Sequence, residues 1–167
     1  MRNDSQNPVR PKPAGGVRAA ELTPVTNLSD VSFDDGSGWN GCTLADRTRT
    51  IRCTLLEDRS SFEERFTVED GIMKVTHTLR LVSDRNFAAD WLEADFIDDG
   101  RNRGFAAAIT LGDGRICLVG YSKKFKAEQP LLLKSQTVLS GEKPLDAPTV
   151  ELLLESVDTS PAAIKNR

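Results

Sequence analysis

Apolar and polar residues alternate with a period of two along several stretches of the chain, the pattern of strands that cover one face. Residues 72–82 carry it most clearly. Met73, Val75, His77, Leu79 and Leu81 share one face, and Lys74, Thr76, Thr78 and Arg80 share the other. Residues 62–68 precede them across Glu69-Asp70-Gly71. Asp-Gly between two alternating runs predicts a tight hairpin, because glycine accepts the positive φ such a turn needs. Ile51, Cys53 and Leu55 predict a strand over residues 50–56. Residues 105–111 and 115–121 are apolar at nearly every position and flank Gly112-Asp113-Gly114. Continuous runs of this length predict a hairpin buried on both faces, at the centre of the fold.

Residues 131–139 and 149–157 supply two further strands around a Gly/Pro/Asp loop. Leu22, Val25, Leu28, Val31 and Phe33 suggest short extended pieces, followed by a turn at 34–38 that Trp39 anchors. Residues 84–97 change period. Ser83 or Asp84 can cap a helix whose apolar stripe is Phe87, Ala88, Trp91 and Leu92. Seven or eight strands and one helix predict a mainly β chain: an antiparallel β-sandwich or barrel with one flanking α-helix. Residues 21–160 are expected to form a single β domain, and 161–167 a short polar tail.

Residues 1–20 read differently. They hold three prolines and almost no apolar side chains, so they cannot bury enough surface to offset their ordering entropy. Arg2, Arg10, Lys12 and Arg18 give them a basic excess. The expectation is a disordered arm, or one that orders on a partner. The 167-residue chain as a whole carries a net charge of −3, which argues against wrapping nucleic acid through one global basic surface. Its polar start lacks the apolar core of a secretion signal, and no run approaches the length of a membrane helix. Cys42, Cys53 and Cys117 are odd in number and irregularly spaced, so free thiols in a reducing cytoplasm are expected rather than a disulfide framework or a zinc site.

Few residues are equipped for catalysis. His77 is the single imidazole, its strand phase turns it to the apolar face, and no nucleophile-elbow pattern accompanies it. Asp90, Glu93, Asp95, Asp98 and Asp99 lie on one local helix and turn, where a solvated face is the simpler reading than a carboxylate pair. Asp34, Asp35 and Asp46 do not follow the alternation of a calcium loop. Gly112-Asp113-Gly114 precedes a strand rather than a helix, so it is a turn and not a phosphate loop. Lys123-Lys124-Phe125-Lys126 is a basic patch that resembles a weak nucleic-acid contact, although on an acidic chain a solvated surface, or an interface with acidic groups, is the simpler reading. No catalytic residue, metal or cofactor is expected, which favours an interaction or structural protein over an enzyme.

The order of motifs from Trp91-Leu92 onward adds to this. Gly104-Phe105-Ala106-Ala107-Ala108-Ile109 leads to Gly112-Asp113-Gly114 and Leu118-Val119-Gly120-Tyr121. Pro130-Leu131, Ser140-Gly141, Asp146 and Leu152-Leu153-Leu154-Glu155-Ser156 follow. Over about residues 60–160 this resembles the tail-tube class of virion proteins from phages and prophages of gut Bacteroidetes. The resemblance implies a structural subunit, made in the host bacterial cytoplasm and located in the virion. Copies would assemble into stacked homo-oligomeric rings around a channel, with other tail or neck proteins as partners, DNA as non-specific cargo and no membrane. The hairpin 62–82 would then be a lumen candidate, and its Glu63, Glu64, Glu69 and Asp70 would repel DNA. The arm residues Arg2, Arg10, Lys12 and Arg18, with Lys123 and Lys124, would complete the candidate assembly contacts. The competing expectation is a monomeric β-sandwich or barrel that binds a small ligand or carbohydrate through Trp39, Trp91 and Tyr121.

Overall fold

The computed structural model describes residues 15–36, 38–56 and 58–167. Among these, eleven strands form. In chain order they are Val17–Pro24 (β1), Leu28–Phe33 (β2), Gly38–Leu44 (β3), Ile51–Cys53 (β4), Ser61–Glu69 (β5), Ile72–Asp84 (β6), Phe105–Leu111 (β7), Ile116–Val119 (β8), Leu132–Leu139 (β9), Thr149–Asp158 (β10) and Ala163–Lys165 (β11). They build a seven-stranded sheet in the order β2-β3-β11-β8-β7-β1-β4 and a four-stranded sheet in the order β5-β6-β10-β9. All neighbours run antiparallel except β11 and β3. The mainly β, sandwich-like architecture expected from the alternation is the one found.

The core lies between the sheets. Leu22 of β1, Phe105, Ala107 and Ile109 of β7 and Cys117 and Val119 of β8 pack toward Leu79 and Leu81 of β6 and Leu152 and Leu154 of β10. The β7–β8 hairpin occupies the middle of the larger sheet, and its second face is covered too. Leu118 packs there with Val31 and Trp39, joined by the half-buried Ala108 and Ile116. That second cluster is why both strands read as continuous apolar runs. The β5–β6 turn also forms as its sequence dictates, with Asp70 at φ 51° and Gly71 at φ 77°.

Three expectations require correction. The helix over 84–97 is not continuous. The chain makes two 3-10 turns, at Arg85–Phe87 and Ala89–Leu92, then one short helix, Ala94–Asp98 (α1), and a wide turn at Asp99–Arg103. Glu93 is extended (ψ 142°) and breaks the run. The Trp91 carbonyl accepts from Gln136 Nε2 at 2.7 Å, a tertiary bond in place of a helical one. Ala88 and Trp91 of the expected stripe are buried, whereas Phe87 and Leu92 stay exposed.

Residues 17–20 do not belong to the arm expected over 1–20. Val17 and Ala20 are buried, because β1 is held between β4 and β7 by ladders on both edges. Arg18 is an exposed residue of this strand. Arg2, Arg10 and Lys12 lie outside the described residues. The tail over 161–167 is not a tail either. β11 enters the middle of the larger sheet, pairing Ile164 with Gly38 on one side and with Cys117 on the other. Asn166 fastens its end, with its N–H donating to the Trp39 carbonyl and its Nδ2 to Asp34 Oδ2 and Asn40 Oδ1.

Candidate functional site

The β5–β6 hairpin is longer than the sandwich that supports it. Cross-strand pairs share a face, so Phe62 with Leu79, Glu64 with His77, Phe66 with Val75 and Val68 with Met73 all turn toward the core side. Leu79, His77 and Val75 are buried there. The covering ends within that last pair: Phe66, opposite buried Val75, is 53% exposed, and one pair further out Val68 is 68% and Met73 49% exposed. At about 3.4 Å per residue the last three residues of the hairpin project roughly 10 Å beyond Val75. The apolar stripe therefore runs off the end of the core onto an uncovered overhang. The four-stranded sheet also ends in two strands, β5 and β9, whose outer edges pair with no strand among the described residues.

The outer face of this sheet carries charges of both signs beside the apolar Ile72, Leu153 and Val157. Glu63, Arg65, Lys74, Arg80, Glu151 and Glu155 stand on it with Thr76 and Thr78. Glu63 pairs with Arg65 at 3.0 Å. Arg80 meets Glu151 through a two-pronged bond, Nε to Oε1 at 2.8 Å and Nη2 to Oε2 at 2.7 Å, which pulls the Glu151 carboxyl below its ordinary range. Of the acidic residues expected to line a lumen, Glu63 and Glu69 share this outer face, Glu63 beside Arg65, while Glu64 turns inward and Asp70 sits in the turn.

The inward turn of Glu64 leads to His77. The imidazole is 3% exposed; its Nδ1 lies 3.4 Å from Ser156 Oγ and its Nε2 lies 3.5 Å from Glu64 Oε2. The second distance is too long for a good hydrogen bond, and Nε2 has no hydrogen-bond partner. Glu64 Oε2 accepts instead from the Ala162 N–H at 3.3 Å. His77 and Ala162 both line a cavity of about 320 Å³ at this end of the molecule. Its wall includes Phe33 and Tyr121, whose rings stack with centroids 6.1 Å apart and planes 12° from parallel. Lys123 and Lys124 stand at its mouth.

The lysine loop is shaped locally. Ser122 and Lys126 exchange both backbone hydrogen bonds, the Phe125 N–H donates to Ser122 Oγ, and Lys126 takes φ 54°. Lys123 Nζ donates to the Asp34 carbonyl at 2.9 Å, and Lys124 Nζ lies 5.0 Å from the Phe125 ring centroid. Phe125 shares a shallow depression with Glu69, Asp70 and Met73. Lys123, Lys124, Glu69 and Asp70 are thus brought to one end. The register of β1, β7 and β8 puts Arg18 at the opposite end of the larger sheet.

Two sequence readings are redrawn by these positions. Trp39, Trp91 and Tyr121 do not form one binding platform, because Trp91 is buried in the main core, whereas Trp39 is buried in the smaller cluster against which Tyr121 packs. The acidic run Asp90, Glu93, Asp95 and Asp99 lines a wide groove of about 720 Å³ opposite Arg47, Arg49 and Arg52, with Arg49 3.6 Å from Asp99. It faces arginines as well as solvent. No group of residues suited to a metal ion occurs among the described residues. No protein-family model matches the chain, and no curated protein or solved structure is significantly similar to it.

Proposed function

We propose that this chain is a structural subunit that assembles with copies of itself, in the manner of a phage tail-tube protein. The observation that carries the reading is the overhang of the β5–β6 hairpin. Phe66, Val68 and Met73 continue the core stripe into solvent, and a surface of that kind gains free energy when a neighbour covers it. The open edges of β5 and β9 support the same reading. An unpaired edge is a template for a strand from another chain, and head-to-tail pairing of two different edges closes rings when the rotation allows. In such a ring the four-stranded sheets run on around a lumen lined by their outer face, with its charges of both signs. DNA passes as non-specific cargo, and other tail or neck proteins meet the ends of the stack.

The test is assembly of the intact chain, followed by light scattering after size exclusion and by electron microscopy. Phe66→Lys with Val68→Lys alters only exposed positions, so the monomer keeps its melting temperature within a few degrees. Concentration-dependent rings or tubes in the parent that the double variant loses support the proposal. A parent that stays monomeric at high concentration, or assembly that survives both lysines, overturns it.

A further inference from the structure

From the ladders of the four-stranded sheet we infer how neighbouring copies join: β9 of one copy pairs antiparallel with β5 of the next, with Val138 opposite Phe62 and Gln136 opposite Glu64. This joint rests on the assembly reading above and adds to it the partner strand and its register. β5, β6, β10 and β9 alternate in direction, so the two edges of the sheet run opposite ways. A copy carried round a ring therefore sets its β5 antiparallel to β9, and the alternation continues across the boundary.

The two edges are also staggered. β5 stands opposite residues 72–80 of β6, whereas β9, traced through β10, stands opposite residues 78–84. Copies set side by side at one height would share only the stretch opposite residues 78–80, a short ladder. Sliding the neighbour along the strands by four to six residues covers the whole of β9. Paired residues must face the same side of the sheet, and a slip of one residue reverses every face, so the slide is even: four residues or six.

Side-chain pattern and barrel geometry both select four. At four, Phe62 meets Val138, which is 46% exposed in the single chain, and Glu64 meets Gln136. Apolar falls on apolar and polar on polar. At six, Glu64 would meet Val138 and Phe66 would meet Gln136, so each pair would be mismatched. Beyond Ser135 the β9 ladder shifts register and Gly100 lies close against Leu133, so the continuous joint comprises residues 61–65 with 135–139. Four residues at about 3.4 Å each give a slide of about 14 Å, taken across four strands about 4.8 Å apart, or about 19 Å per copy. In a level ring that slope inclines the strands by about 35° to the ring axis, and six residues would incline them by about 47°. Closed barrels hold their strands at roughly 35–45°. The stagger is thus what closure of this sheet requires, whereas a two-fold joint of β5 with β5 would leave every β9 edge open.

Disulfide trapping tests the register. Glu63 and Thr137 are exposed, and β6 and β10 separate them within one chain, so a bond between cysteines at these positions joins two copies. Cys42, the exposed native thiol, is first replaced by serine. Under mild oxidation Glu63→Cys with Thr137→Cys is expected to link most chains into covalent multimers that a reducing agent returns to single chains. Arg65→Cys with Thr137→Cys stands for the six-residue register. It is expected to link several-fold more slowly, because at four residues these positions lie on a diagonal of roughly 7–8 Å. Glu63→Cys alone stands for the β5–β5 joint and is expected to give little product. Electron microscopy of the parent supplies a second measurement, strands inclined by about 35° to the ring axis. Rings that link better through either control, that link through none of the three, or whose strands run along the axis overturn the register and leave the assembly reading standing. A parent that never assembles overturns both.

Discussion

Deleting residues 163–167 should unfold one part of the molecule and spare the rest. β11 is three residues long, yet it alone bridges β3 and β8, so its loss cuts the larger sheet into β2–β3 and β8-β7-β1-β4. It also removes the Asn166 bonds to Trp39, Asp34 and Asn40, and the Lys165 ammonium 5.5 Å from the Trp39 ring centroid. What then holds β2–β3 is chiefly the burial of Val31 and Trp39 against Leu118. At about 1.5–3 kcal/mol per large side chain that cluster supplies about 5–9 kcal/mol. The two strands comprise six and seven residues, and each residue regains roughly 1–2 kcal/mol of backbone freedom on release, which together exceeds that burial. The balance favours detachment, since an isolated two-stranded hairpin is marginal in water. Trp39 and Trp91 are the two tryptophans, one in each cluster, so single Trp→Phe variants make separate reporters. In the truncated chain Trp39 emission should be red-shifted before any denaturant is added, and Trp91 emission should stay blue until the global transition. Unshifted Trp39 emission together with an unchanged denaturation midpoint would refute the bridging role of β11.

Two further outcomes follow from single side chains. Gly120 takes φ +82°, and a Cβ there would collide with the Phe105 carbonyl and lie 2.9 Å from the Leu131 nitrogen, both backbone atoms that cannot step aside. Gly120→Ala should cost at least about 3 kcal/mol, combining left-handed strain with the clash, and a melting temperature within two or three degrees of the parent would show the contact to be relieved cheaply. The Arg80–Glu151 pair should make stability fall on acidification: a carboxyl whose folded pKa is lowered contributes above its unfolded pKa and loses that contribution as pH falls through the folded value. Because Arg80 is substantially exposed, solvent screening holds the effect to about 1 kcal/mol, so the stability difference between the parent and Glu151→Gln should shrink by that amount from pH 7 to pH 2, as urea titration can measure.

Much of the fold was legible because it rests on local rules. The alternation at 72–82, the Asp70-Gly71 turn and the apolar runs of β7 and β8 each state their geometry within a dozen residues. β11 shows where such rules stop. Ala163-Ile164-Lys165 is too short to display a period, and its place is set by partners at residues 38, 39, 117 and 118. β1 was half concealed for a related reason. Its start is joined to a proline-rich stretch, and the register shift between Val17 and Ala19 breaks the alternation that would have marked it. The fragmented helix failed for the opposite reason. Its local signals were sound, including Asp84, whose side chain does accept from the Asn86 N–H. Burial of Ala88 and Trp91 and the bond from Gln136 prevailed over them.

The candidate site divides along the same line. Period two fixes which face a side chain takes, so it placed His77 toward the core. It does not say how far along a strand the opposite sheet extends. Met73, two residues from Val75 on the same face, is therefore indistinguishable from it in the sequence, although one is half exposed and the other fully buried. That boundary is set where the larger sheet gives way at this end to the segments 120–124 and 158–163, and it creates both features of interest. Beyond it the hairpin stripe runs uncovered. Just inside it, beside Ala162, His77 Nε2 is left without an acceptor and the loops enclose a cavity rather than a packed core. The pairing of His77 with Glu64 and Ser156 likewise depends on register, which brings residues 13 and 79 positions away onto one face. Local spacing carries no trace of such a meeting, which is why period two assigns His77 its face but not its neighbours.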